Sequence, residues 1–238
     1  MKLELLLKDF KQPNNFQNPI KPLFYPKIDE KALYNYFKKC YYQINHKPFI
    51  ETEDSELFVY TLIYYFKNKD NFYKSPLLHK LEGAEFSLDK GLCIVGGFGT
   101  GKSTILKTFQ YILNNIYKSR VPLLFEMAID IVLEYENIPQ EDIQGFYDKY
   151  SNGFRIIDDL KSEKVASRFG KTDVLKEILF KRCENKRINT IITTNYNNEE
   201  PDNMDVAIEE LYRYEGRVYD RLYEKFNFIQ LKDKSFRK

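Results

Sequence analysis

Beyond residue 90 the apolar positions fall into short runs separated by longer stretches with helical spacing. Leu92–Val95, Val121–Phe125, Phe154–Ile157, Asn189–Thr193 and Phe226–Leu231 have the length and bounding polar residues of buried strands. Helices are predicted between and after them near 102–117, 128–136, 140–149, 172–184 and 205–223. Such alternation makes a parallel sheet with helices on its faces. Upstream, Leu33, Tyr36, Phe37 and Tyr41 repeat at helical spacing across 29–45, and a second helix is expected from Asp54, its cap, through Phe66. Residues 11–27 carry four prolines, Pro13, Pro19, Pro22 and Pro26, and read as an extended arm. The expected organisation is a small helical, aromatic region over 1–84, able to dock a partner, followed by an α/β domain over 85–238.

Composition narrows this picture only slightly. A chain of 238 residues with 43% hydrophobic and 16% aromatic residues can bury a substantial core. The 37 basic and 35 acidic side chains nearly cancel, so any nucleic-acid contact must come from a local patch. Cys40, Cys93 and Cys183 form no CxxC pair and His46 and His79 stand far apart, which argues against a zinc site or a disulfide framework. No stretch approaches the roughly 18 apolar residues of a membrane span, and residues 1–7 lack a signal peptide's long apolar core. The expectation is a soluble, cytoplasmic protein of a reducing compartment, without membrane partners.

The chemistry concentrates after the first predicted strand. Gly96-Gly97-Phe98-Gly99-Thr100-Gly101-Lys102-Ser103 fits G-x-x-x-x-G-K-[ST], with an apolar strand before it and an amphipathic helix after it. Glycines let backbone N–H groups close on phosphate oxygens, and the helix N-terminus faces the same anion. Lys102 is the candidate for the outer phosphates, Ser103 for Mg²⁺ and Thr104 for the inner phosphates, so ATP and Mg²⁺ are the expected cofactors. A metal carboxylate is then required. Phe154-Arg155-Ile156-Ile157-Asp158-Asp159 delivers two acids at a strand's C-terminal end, where open α/β sheets bind ligands. Asp158 is read as the Mg²⁺ residue and Asp159 as the base or water-positioner. The strand at 189–193 ends in Thr194-Asn195, a carboxamide able to orient water, or simply the start of a turn.

Together these motifs, with Ile-Ile-Asp-Asp-Leu and the late Gly216-Arg217-Val218-Tyr219-Asp220-Arg221-Leu222, resemble the AAA+ ATPases of the DnaC/DnaI helicase-loader and IstB group over residues 85–238. The resemblance implies an AAA+ P-loop core with a five-stranded parallel sheet, no C-terminal lid domain, Asn195 as sensor 1, and an arginine finger acting on a neighbouring subunit. Arg221 is the best match for that finger, with Arg217 one turn earlier as the alternative. The closing Ser235-Phe236-Arg237 resembles a loader ending in which Arg237 would meet phosphate. Two features depart from the group: Lys161 stands where loaders often carry glycine, and residues 1–84 match no specific docking domain.

The function implied is ATP-dependent loading of a replicative helicase. It brings self-association into an ATP-dependent oligomer and single-stranded DNA as a partner. Lys118, Arg120, Lys164, Arg168 and Lys171 are the candidate DNA contacts. An IstB-like transposition ATPase, or a nucleotide-gated adaptor with negligible hydrolysis, are the competing readings.

Overall fold

The computed structural model describes residue 21 and residues 28–167, 170–185, 189–214, 216–232 and 234–236. Apart from Lys21, the proline-rich arm expected over 11–27 lies outside them, as do Arg168 and Arg237.

Among the described residues two helices come first, α1 (Glu30–Asn45) and α2 (Glu53–Lys67). The cap of α2 is Thr52 and not Asp54, which falls in the first turn. Thr52 Oγ1 accepts from the Ser55 N–H at 3.1 Å while Ser55 Oγ accepts from the Thr52 N–H at 2.8 Å. That reciprocal pair satisfies two otherwise orphaned donors, which a lone aspartate does not.

A short β1 (Leu78–His79) precedes the strand–helix alternation: β2 (Gly91–Gly96), α3 (Lys102–Tyr111), β3 (Leu123–Met127), α4 (Ala128–Asn137), α5 (Ile143–Ser151), β4 (Phe154–Leu160), α6 (Val174–Glu184), β5 (Thr190–Thr194), α7 (Met204–Glu209), α8 (Gly216–Lys225) and β6 (Phe226–Leu231). The sheet has six strands in the order β1-β6-β2-β5-β4-β3. The five expected strands are parallel; β1 adds an antiparallel edge that two residues could not announce in sequence. The helix expected over 102–117 passes into a π-helical segment at Ile112–Ile116. The one expected over 205–223 is broken by a 3₁₀ segment at Glu210–Tyr214.

Alternation along β2 divides the core in two. Leu92 and Ile94 face a cluster shared with Phe37, Phe58, Phe66 and Phe109, from α1, α2 and α3. Cys93 and Val95 face a second cluster built from α4 to α8. The N-terminal helices thus close one face of the sheet, with the Phe37 and Phe66 rings 5.2 and 5.6 Å from Phe109 on α3. Two layers of helix around a parallel sheet hide both strand faces, so the strands read as continuous apolar runs.

Strand order also decides what meets at the C-terminal edge. Strand β5 lies between β2 and β4, so the loop leaving β2 and the acids ending β4 flank the end of β5. That crevice is where such sheets place their chemistry.

Candidate nucleotide site

The loop from Gly96 to Lys102 turns sharply because Gly99 and Gly101 take φ of 76° and 83°, backbone that a side chain resists. Gly101 then caps α3, whose first turn holds Lys102, Ser103 and Thr104. Thr100 Oγ1 donates to Gly97 O at 3.0 Å and stiffens the loop, while the ring of Phe98 stands exposed beside it. The chain returns to the loop at its far end, where the Phe236 N–H donates to Gly99 O at 3.0 Å.

Lys102 is almost fully buried and folds back over the loop. Its ammonium donates to Gly96 O at 2.6 Å, to Gly97 O at 2.8 Å and to Asn195 Oδ1 at 3.0 Å. Neutral oxygens hold a cation less well than phosphate does, so this arrangement suits exchange for an anion. A glycine-turned loop, a helix N-terminus and a sheltered lysine fit a polyphosphate.

The acidic strand is irregular where its acids lie. Ile157 pairs with Ile192 but Leu160 pairs with Thr194, one extra residue on β4. The bulge places Asp159 at φ 61° and Lys161 at φ 74°, with Leu160 buried between them. A bulge of this kind re-aims side chains at a sheet edge. Thr193 pegs it: Oγ1 accepts from the Asp159 N–H at 2.8 Å and donates to Asp158 Oδ1 at 2.7 Å. Asp158 itself is buried, and Oδ2 takes no hydrogen bond from a described residue. Ser103 and Asp158 are oxygen donors of the type Mg²⁺ prefers.

Asn195 joins the two halves. Its Oδ1 accepts from Lys102 and its Nδ2 donates to Asp159 Oδ1 at 2.6 Å. An ammonium on one side and a carboxylate on the other allow only this amide orientation. Beside them opens a cleft of about 400 Å³ lined by Phe98, Asp159, Lys161, Asn195, Asn197 and Glu210.

Of the two candidate arginines, Arg221 stands apart from this group. Helix α8 leads straight into β6, so it runs from the C-terminal edge of the sheet to the opposite one. Arg221 pairs there with Glu184, the last residue of α6. Arg217 belongs to the first turn of α8. The candidate DNA contacts are divided as well. Exposed Lys118 and Arg120 precede β3 at the edge remote from the phosphate loop, whereas exposed Lys164 and Lys171 follow β4 at the near edge. The four described positions therefore do not form one stripe.

Sequence reasoning did not assign Thr193, Lys161 or Glu210. A threonine in a strand and two ordinary charges carry no motif, and only the tertiary fold brings Thr193 to the acids and Glu210 to Lys161. Among the described residues no helix is long and apolar enough to cross a membrane, and no group of three or more His, Cys, Asp and Glu residues could hold a metal alone. All three cysteines are buried and unbridged.

No protein-family model matches the chain, and no curated protein matches it. Among solved structures it is similar to one titled "Crystal structure of the DnaC helicase loader", with TM-score 0.54 and 21% identity, covering 82% of this chain and 99% of that one. A second, "Crystal Structure of the DnaI", aligns at TM-score 0.49 and 18% identity over 77% of this chain and 87% of that one. At such identity the DnaC likeness speaks for the fold. The strand order, the phosphate loop and that likeness together give this chain the α/β fold of the structure titled as the DnaC helicase loader.

Proposed function

We propose that the chain is a DnaC-like ATPase that binds Mg-ATP between subunits and uses its hydrolysis to control engagement of a replicative helicase with single-stranded DNA. The observation that carries this reading is the line Lys102–Asn195–Asp159, which ties the phosphate lysine to the second acid through one carboxamide. The backbone of Gly96–Thr104 and the ammonium of Lys102 hold the phosphates. Mg²⁺, when bound, neutralises charge on the phosphate oxygens, and Ser103 and Asp158 would hold it. Asp159 orients the attacking water and takes its proton, and Asn195 keeps the acid facing Lys102.

Arg221 does not serve the chain's own site, since it is engaged with Glu184 toward the far edge. That pair is about half-exposed and contributes little, about 0–1 kcal/mol, so releasing the guanidinium to another subunit is inexpensive. An arginine supplied in trans can raise phosphoryl transfer by about 10³ to 10⁵. Arg237 remains part of the proposal as a phosphate contact, and Arg217 as the alternative finger.

Mixing two inactive variants tests the subunit-shared site. Asp159→Asn and Arg221→Ala are each expected to lose turnover, while a mixture regains part of it because some interfaces combine one intact half from each. No recovery in the mixture, with Arg217→Ala substituted for Arg221→Ala giving none either, refutes a shared site. Capture with Asp159→Asn in ATP tests the partner: a hexameric helicase is the expected prey, and its absence from a replication-competent lysate counts against loading.

A second reading, a nucleotide-gated adaptor, is favoured by one contact. Asn195 already occupies Asp159 Oδ1, one of the two oxygens the acid could offer an attacking water. ATP-dependent assembly without phosphate release at any protein concentration would select it.

A further inference from the structure

Directly after the acidic turn, Lys161 is held at φ 74°, backbone that glycine adopts freely and lysine resists. Such conformations persist only where the surroundings over-determine them. Here the side chain does so. Its ammonium donates to Asn195 O at 2.9 Å and pairs with Glu210 from the 3₁₀ segment, and Asn197 donates to the same carboxylate. The Lys161 side chain is only 16% exposed, in the wall of the cleft beside Asp159. A second strut supports the same turn: the Lys161 N–H donates to the Tyr214 hydroxyl at 3.4 Å, and that hydroxyl donates to buried Glu163 at 2.7 Å. Arg213 completes it, 3.1 Å from the same Glu163 oxygen.

We propose that Lys161, held by Glu210, is a positioning residue that fixes the Asn195 peptide so that its carboxamide bridges Lys102 and Asp159. The backbone carbonyl and the side chain of Asn195 are thereby gripped by two different lysines, Lys161 and Lys102. Removing the first grip frees the 195–197 backbone, and a displacement near 1 Å at a reacting group costs on the order of 10²-fold. The same ion pair anchors the Glu210–Tyr214 segment, which leads into α8 with Arg217 and Arg221. Lys161 therefore links the acid turn of one site to the helix offered to the next. This inference rests on the reading of Asn195 and Asp159 given above.

Lys161→Gly separates positioning from folding, because it relieves the strained backbone while deleting the grip. In the full-length protein, turnover of ATP is expected to fall at least roughly tenfold, with affinity for a fluorescent ATP analogue and the urea midpoint at or above wild-type values. Glu210→Gln is expected to reproduce part of the loss, and the double variant to be no worse than Lys161→Gly alone. The side-chain amide resonance of Asn195, assigned by its disappearance in Asn195→Asp, gives a readout independent of hydrolysis. It is expected to shift toward that of a solvent-exposed amide in Lys161→Gly. Wild-type turnover in Lys161→Gly, or an unmoved Asn195 resonance, overturns the proposal. Absence of turnover in the wild-type protein would refute the hydrolysis reading, and the Asn195 resonance would still decide the role of Lys161.

Discussion

Replacing Thr193 by valine removes one hydroxyl from the centre of the site and almost nothing else. The residue is buried, and valine keeps its shape and strand preference. Two bonds disappear: the Asp159 N–H loses its acceptor and the Asp158 carboxylate loses a donor. An orphaned N–H costs about 1–3 kcal/mol and a hydrogen bond to a charged group contributes about 1.5–3 kcal/mol. Part of each returns through water, since Asp159 lies at a cleft, so about 2–4 kcal/mol of stability should go. At about 2–4 °C per kcal/mol for a chain of this size, Tm falls by roughly 5–15 °C. Function should suffer separately. The bulge loses its peg, Asp159 no longer has a reason to stay at φ 61°, and turnover drops by on the order of 10²-fold while ATP still binds. Urea unfolding, ATP turnover and binding of a fluorescent ATP analogue measure the three effects, and Thr193→Ser, which retains the hydroxyl, should restore most of each. A valine variant with the wild-type midpoint and wild-type turnover would refute the reasoning, because the hydroxyl would then hold neither acid.

Lys102→Met should leave the fold intact but weaken ATP binding at least roughly 100-fold if the proposed charge-assisted phosphate contact is deleted with it; titration with a fluorescent nucleotide reads it, and retained affinity would remove the lysine from the site. Arg182 is buried, its guanidinium donating to Tyr150 O, Asn152 O, Gly153 O, Asn189 O and Thr190 Oγ1. Desolvation, with Arg155 nearby, pulls its pKa down to about 9. Arg182→Met strands those carbonyls and should cost about 3–5 kcal/mol in urea unfolding, with a loss below about 1 kcal/mol counting against a structural staple. Burial against Tyr65 and Leu88 lowers the Lys21 ammonium to about 7 from 10.5, with Asp89 opposing. Between those values the unfolded chain binds the extra proton, so stability rises with pH through that window. Lys21→Met should flatten the rise, as urea midpoints at pH 7 and pH 9 would show; an unchanged slope would place the lysine in water.

Much of this architecture could be read before any coordinates, and the reason is physical. Strands buried on both faces must be apolar throughout, so β2, β4, β5 and β6 stood out, and a loop that must wrap phosphate leaves a fixed spacing of glycines. The misplaced elements are those set by partners distant in sequence. Strand β3 begins two residues later than expected because Leu123 pairs with Phe154 and is held by Asn114, whose amide bonds both its N–H and its carbonyl. The predicted 205–223 helix breaks because Glu210 turns toward Lys161 and Tyr214 toward Glu163, contacts across 49 and 51 residues. The candidate site divides in the same way. The candidate phosphate residues carry their own local signature, whereas Thr193 and Glu210 reach Asp159 and Lys161 only through the tertiary fold. A departure from pattern was nonetheless visible at Lys161, where glycine is common in the resembling loaders. The positive φ explains why glycine serves there, and the bonds to Asn195 and Glu210 explain how lysine can replace it. A residue that breaks a local rule and is then held by three contacts is a better guide to function than one that obeys it. By that criterion the turn at 159–161, strained at both ends around a buried leucine, is where substitutions should disturb the proposed chemistry most.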